Sequence, residues 1–284
     1  MRSLQDEPVA LVTGSSSGFG LLICIELALR GFVVIAGIRR METAGKVLET
    51  AEQAGVHTRI RTVQLDVTQD SDVKQAAAYI KDQFGRLDVL VNNAGTAYGG
   101  FIEEVPAEVW LEQMNTNFHG MVRMTQAVLP LMRERRKGRI IQMSSISGRI
   151  GFPGYGPYAS SKFAVEGFSE CLALETEPFG IDVVIVEPGA YGTPIWEKGF
   201  TQMSTTSGLP YQAMLDKVLA FSQKSAQQGG DPREVARLVA HIACLKRPAF
   251  RYALPRSTRL TIRAKAALPG RLFQKIMASV LGRS

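Results

Sequence analysis

The stretch "VALVTGSSSGFG", Val9 to Gly20, decides the fold. An apolar run of strand length ends in a threonine, and three glycines follow: Gly14, Gly18 and Gly20. The pattern reads as a strand, a tight turn and the start of a helix. Glycine lets backbone approach a pyrophosphate closely, and the helix offers free N–H groups and the positive end of its dipole. The spacing is G-x-x-x-G-x-G, not the commoner G-x-G-x-x-G. The plainer alternative is a glycine-rich turn that binds nothing, so the surroundings must decide.

The surroundings repeat the pattern. Apolar runs at 9–14, 32–38, 61–67, 87–95, 139–145 and 182–189 alternate with helix-length segments at 18–30, 41–54, 70–84, 107–136 and 157–178. The runs are rich in Val, Ile and Leu and nearly continuous, as expected for strands buried on both faces of a parallel sheet. Such alternation predicts an α/β fold, a Rossmann-type doubly wound parallel sheet. Ligands in such folds sit at the carboxyl ends of strands. With no internal repeat and no low-complexity linker, one domain is expected over 1–255, followed by a basic tail at 256–284.

Composition sets outer bounds. A hydrophobic share of 45% in 284 residues supports a sizeable core. The chain holds no 18-residue apolar run, so no membrane span is expected. Its start does not resemble a signal peptide. The three cysteines, Cys24, Cys171 and Cys244, are far apart and odd in number. They read as buried small residues in a reducing, cytoplasmic setting, with no disulfide frame. His57, His119 and His241 are equally scattered, so no metal site is expected. The formal net charge is +7, yet residues 247–284 carry nine Lys+Arg and no acid, leaving the remainder with 24 basic and 26 acidic residues. The basic excess belongs to the tail.

The strand ends hold the unusual residues. At the first lie Gly14, Ser16, Ser17, Gly18, Phe19 and Gly20. The second ends in "AGIRR", where an NAD enzyme places an acid for the ribose hydroxyls; this chain has Arg39 and Arg40. Guanidinium without an acid favours a 2′-phosphate, hence NADP(H) ahead of NAD(H); the alternative is a solvated basic turn. The third end offers Asp66, followed by Val67, to the adenine. The fourth, "NNAG", brings Asn92, Asn93, Ala94 and Gly95 toward the adenosine and pyrophosphate.

The stretch "YASSK" puts Tyr158 and Lys162 one helical turn apart. With 7 Tyr and 11 Lys in the chain, about 0.3 Y-x-x-x-K matches arise by chance, so its weight comes from context. The motifs "TGSSSGFG", "NNAG", Asn117 in "NTNFHG", Ser145, "YASSK" and "EPGAYGT" stand in the order and at the intervals of the short-chain dehydrogenase/reductase family. The chain resembles that family strongly over about residues 7–195, and its general look, basic tail included, resembles the branch with 17β-hydroxysteroid and retinol dehydrogenases. The resemblance implies a nicotinamide cofactor and reversible alcohol/carbonyl oxidoreduction. It puts Asn117, Ser145, Tyr158 and Lys162 in catalytic positions, Asp66 at the adenine site, and Pro188, Gly189 and Thr193 near the nicotinamide. It also implies a homodimer or homotetramer.

The chemistry can be argued from the residues. Carbonyl reduction needs a hydride, carried by a cofactor, and a proton for the developing alkoxide. A free tyrosine, with pKa about 10, exchanges protons poorly near neutrality. A neighbouring cation, Lys162, favours phenolate and is expected to lower that value. Tyr158 then gives a proton in reduction and takes one in oxidation. Ser145 is expected to hydrogen-bond the carbonyl oxygen; Ser144, its neighbour, points the other way along the strand. Asn117 sits where a helix disfavours asparagine, which suits a water-holding role; a plain surface residue is its alternative. His119 reads as structural.

After the sixth strand, about 192–230 is expected to form a substrate lid, with Trp196, Phe200, Met203, Leu209, Pro210, Tyr211, Met214 and Phe221 favouring a small hydrophobic carbonyl or alcohol. Asp231 and Pro232 open a regular helix, and "FRYAL" reads as a last strand. In the tail, Leu272, Phe273, Ile276, Met277, Val280 and Leu281 form one helical stripe flanked by Arg271, Lys275 and Arg283. Such a helix can lie on an anionic membrane as a peripheral contact, or dock on the body, on a second subunit or beside the substrate cleft. Two other classes stay open: a dinucleotide sensor without chemistry, and nucleic-acid binding through the tail. No reader motif supports the second, so nucleic acid is not an expected partner.

Overall fold

In the computed structural model, residues 7–195, 210–227 and 229–280 are described. Seven strands pair in parallel in one sheet: β1 (Val9–Thr13), β2 (Val33–Ile38), β3 (Ile60–Gln64), β4 (Val89–Asn92), β5 (Gly138–Met143), β6 (Ile181–Pro188) and β7 (Arg251–Leu254). Their spatial order is β3-β2-β1-β4-β5-β6-β7. Every residue of β1, β2, β4 and β5 is buried, which explains their largely apolar sequences.

The period of two along each strand assigns its side chains to two cores. Ala10, Val12, Val34 and Ala36 face α1 (Gly18–Leu29), α2 (Ala44–Gln53) and a later helix at 232–244. Val9, Leu11, Val33 and Ile35 face α3 (Asp70–Phe84) and α5 (Gly120–Glu134). In chain order α4 (Ala107–Met114) comes between those two helices, and α6 (Gly156–Thr176) follows β5. The strand order reverses between β1 and β4, which opens a crevice at their carboxyl ends.

Some elements differ from the sequence expectation. The third strand stops at Gln64, because the Asp66 carboxylate accepts from the Thr68 N–H and hydroxyl and turns the chain. The segment 107–136 is not one plain helix: Asn115–His119 form a π-turn between α4 and α5. Of the cysteines only Cys24 is buried; Cys171 and Cys244 are exposed, against the expectation of three buried thiols.

The segment expected as a lid is helical from α7 (Gln212–Gln227) onward. Trp196, Phe200, Met203 and Leu209 lie outside the described residues, as does the side chain of Phe221. Helix α8 (Pro232–Cys244) starts as read, with the Asp231 carboxylate accepting from the Arg233 N–H at 2.9 Å. The tail forms two helices, α9 (Arg256–Ala267) and α10 (Gly270–Val280), because Pro269 forces Leu268 into extended backbone. The expected apolar stripe falls on α10 and is split by its packing. Phe273 turns inward, while Leu272 and Ile276 are exposed. Leu281, Arg283 and the side chain of Val280 are outside the described residues.

Candidate active site

The turn after β1 is shaped by two close approaches. Gly14 has φ +67°, and a Cβ there would stand 2.7 Å from the Ala94 Cα. A Cβ on Gly20 would stand 2.3 Å from the Gly14 carbonyl oxygen. The first turn of α1 therefore lies directly on the loop. Ser17 starts α1 without a side-chain cap, so the N–H groups of Gly18, Phe19 and Gly20 meet no capping oxygen. Gly18 has φ +56° and faces Thr193 and Pro194 at ordinary van der Waals distance. Phe19 packs edge-on against Tyr191.

The fourth strand end braces this turn. Thr13 Oγ1 accepts from the N–H groups of Asn93 and Ala94, and Asn93 Nδ2 donates to the carbonyls of Thr13 and Gly14. Asn93 thus turns its side chain to the loop backbone. Asn92 is buried on Thr125 and Gln142 and does not face the crevice, contrary to expectation. Gly95 is exposed, and Asp66 keeps one carboxylate oxygen free of hydrogen bonds among the described residues. Val67 is buried against Gly120. Arg39 and Arg40 are both exposed. Arg40 pairs loosely with Glu42 at 3.8 Å. The Arg39 guanidinium has no ion pair among the described residues and lies near enough to Tyr98 to oppose the rise of its pKa. An uncapped helix start, an imposed glycine cradle and an unclaimed guanidinium fit a phosphorylated dinucleotide.

Beside the cradle, the ends of β5 and β6 meet α6. Tyr158 and Lys162 project from the first turns of α6, and the Tyr158 phenol lies near enough to the Ser145 side chain for that serine to act on its pKa. Burial pushes the phenol above its ordinary value, although Ser145 pulls it down. The expectation that Lys162 sets a lowered value is thus corrected: burial dominates. Lys162 is itself buried; its Nζ donates to the Met143 carbonyl at 2.8 Å and lies 5.7 Å from the Tyr158 ring centroid. Loss of solvent lowers the ammonium to a pKa of about 8, against the opposing charge of Glu166.

The serine pair divides as alternation requires. Ser145 Oγ faces the cavity and accepts from the Ser147 N–H, whereas Ser144 Oγ donates to Glu166 Oε1 at 2.6 Å. Asn117 is fully buried, so the surface alternative fails. Its side chain accepts from the Thr96 N–H and donates to the Thr96 carbonyl and Ser161 Oγ. The π-turn is what aims it across to α6. His119 is exposed and packs on Phe118.

A cavity of about 550 Å³ opens at Ser145. Phe152, Tyr155, Gly189 and Val218 line one side, and Leu260, Phe273 and Met277 of the tail line another. The Gly189 N–H donates to the Leu254 carbonyl and Thr258 Oγ1 crowds its Cα, so the end of β6 is held to α9. Sequence reasoning missed Glu166 and Arg251; the tail wall is one of the alternatives it left open, docking beside the cleft. Glu166 carried one signal, its place one turn after Lys162. Arg251 Nε reaches it at 3.2 Å from a different strand, which no local pattern shows. Among the described residues, no cluster of His, Cys, Asp and Glu could hold a metal, and no helix is long and apolar enough to cross a membrane.

The sequence profile of the short chain dehydrogenase family matches residues 8–204. The chain belongs to that family and is an oxidoreductase of it. It is 40% identical to an uncharacterized oxidoreductase, YusZ, of Bacillus subtilis, over 98% of this chain and 99% of that one. It is 38% identical to a 3-ketodihydrosphingosine reductase of Bacteroides thetaiotaomicron, over 94% and 95% of the two chains. Retinol dehydrogenase 8 of Bos taurus is 36% identical over 87% of this chain and 82% of its own. A short-chain dehydrogenase structure from Streptomyces avermitilis superposes with TM-score 0.80 at 31% identity, covering 98% of both chains. The actinorhodin polyketide ketoreductase with NADPH superposes with TM-score 0.75 at 33% identity, covering 88% and 95%.

The glycine cradle gives one structural prediction. A methyl group at Gly20 meets backbone, which cannot swing aside. Gly20→Ala is expected to cost about 2 kcal/mol or more, read as a lowered midpoint in urea. An unchanged midpoint would mean that the close approach in the turn is relaxed.

Proposed function

We propose that the protein is an NADP(H)-dependent oxidoreductase that interconverts a hydrophobic secondary alcohol and ketone, or a primary alcohol and aldehyde. The observation that carries this reading is the junction of Ser145, Tyr158 and Lys162 with an apolar cavity, beside a dinucleotide cradle. Gly14, Ser16, Ser17, Gly18, Phe19 and Gly20 would hold the pyrophosphate, with Arg39 and Arg40 on a 2′-phosphate. Asp66 and Val67 would flank the adenine, and Asn93, Ala94 and Gly95 the adenosine side of the groove. Pro188, Gly189 and Thr193 would border the nicotinamide, and Lys162 its ribose. The bound dinucleotide supplies or accepts the hydride at the substrate carbon.

The chain's own residues then handle the proton. In reduction, negative charge gathers on the carbonyl oxygen. Ser145 Oγ hydrogen-bonds that oxygen and Tyr158 gives it the phenolic proton. The ammonium of Lys162 stabilises the phenolate left behind, across the 5.7 Å that separates it from the ring. Asn117 holds the Thr96 backbone and the Ser161 hydroxyl, next in the chain to Lys162, and would hold the water through which the lysine exchanges protons. In oxidation the same bonds run in reverse. The apolar cavity and the names of the reductase and retinol dehydrogenase relatives support a hydrophobic substrate. The NADPH of the ketoreductase relative supports the cofactor.

Three measurements test this. Tyr158→Phe is expected to lower kcat for ketone reduction roughly 100-fold or more while NADPH still binds; an unimpaired variant would point to a dinucleotide sensor. Arg39→Asp is expected to weaken NADPH about tenfold to a hundredfold with NADH little changed; an unchanged ratio of kcat/KM for the two cofactors overturns the 2′-phosphate reading. Lys162 is charged below its pKa of about 8, so reductive kcat/KM is expected to fall as pH rises through that value. Glu166→Gln removes the charge that holds this pKa up, so the fall should move to lower pH. A profile that stays in place would mean that another group controls it.

A further inference from the structure

We propose that the mouth of the apolar cavity is a docking surface for an anionic lipid bilayer, through which the substrate enters. This rests on the reading of the cavity as the site for a hydrophobic ketone or alcohol. Leu260 and Ile276 line the cavity and are nevertheless 55% and 43% exposed, so they stand at its opening. Leu272, one helical turn before Ile276, is 45% exposed. Three large aliphatic side chains therefore face outward around the opening, each on a tail helix.

The charge around them has one sign. On α9, residues 256, 259, 260 and 263 fall within about a third of the helix circumference, so Leu260 shares its outer face with three arginines. On α10, Arg271 and Lys275 form the stripe next to Leu272 and Ile276. All five basic residues are exposed, and none has an ion pair among the described residues. From 247 to 284 the sequence supplies no acid to neutralise them. An apolar rim set in unpaired cations matches a surface that is anionic outside and hydrocarbon beneath. A nucleic acid would leave the aliphatic rim without a function. Lys265 does not belong to this face: it donates to the Arg149 carbonyl and lies over Phe163, which ties α9 to the loop carrying Ser145. The docked element and the catalytic loop are thus directly joined.

The test is co-sedimentation of the full chain with vesicles of phosphatidylcholine, with or without phosphatidylglycerol, beside the variant Arg256→Glu/Arg259→Glu/Arg271→Glu. These arginines line neither the cavity nor the cradle. The unaltered chain should pellet with the anionic vesicles and be released by salt. The variant should bind roughly 100-fold more weakly. Its kcat/KM for a short soluble ketone should be unchanged, while its rate on a long-chain ketone carried in anionic vesicles should fall about tenfold or more. Failure of the unaltered chain to pellet, equal pelleting with neutral vesicles, or a variant that pellets normally would each overturn the proposal. So would self-association that the variant abolishes without any vesicle binding, or a DNA duplex that displaces the vesicles at equal charge. Soluble-ketone turnover without pelleting would overturn the surface alone. Pelleting without turnover of any ketone would overturn the catalytic reading alone.

Discussion

Lys162 brings an ammonium into the protein interior, where the Met143 carbonyl is its hydrogen-bond acceptor at 2.8 Å. An unpaired buried cation would be costly, so this contact constrains everything near it. It fixes the azimuth of α6 against the end of β5, and with it the place of Tyr158. It also demands negative charge nearby. Glu166 supplies that charge one turn on, and is held by Ser144 and Arg251. Arg251 in turn bridges to Glu170 and approaches Glu187, which pairs with Arg149. The two serines after β5 thus serve opposite sides of one requirement. One faces the cavity, and the other orients the carboxylate behind the lysine.

Close packing makes the arrangement rigid. A Cβ on Gly148 would stand 2.6 Å from Ser144 Oγ and 3.0 Å from the Lys162 carbonyl oxygen. Only a bare Cα lets the loop lie against α6, so the distance between Ser145 and Tyr158 is set by backbone contact. The π-turn plays a matching part on the other side. Its wider turn presents Asn117 to Thr96 and Ser161, which joins the end of β4 to α6.

Much of this was legible in the sequence because it is local. Val9–Thr13 and Val33–Ile38 are buried on both faces, and their composition says so directly. The first turn after β1 was legible because glycine alone fits there. Asn117 was visible as an oddity, yet its burial was not, since the π-turn depends on partners 21 and 44 residues away. The sign of the Tyr158 shift was misread because charge can be counted in a sequence and desolvation cannot. Asn92 was misplaced because a strand-end asparagine reads the same whether it faces a crevice or meets Thr125 and Gln142. The tail was legible as amphipathic, but which side of its apolar stripe turns inward, Phe273 and not Leu272 or Ile276, depends on the body it packs against.

The wall contributed by Leu260, Phe273 and Met277 has one further consequence. The residues proposed to hold the cofactor and to move the proton all come from before residue 195, whereas this wall comes from after residue 255. The proposed reaction residues and this part of the cavity wall therefore lie on separate stretches of chain, joined through β7 and a few contacts such as Lys265 to Arg149, while Phe152, Tyr155 and Val218 complete the wall from the body. Exchanging the second stretch would reshape the Leu260–Phe273–Met277 side of the cavity while the residues before 195 keep their backbone framework. The tail is a replaceable cassette, and the sheet is the socket that receives it.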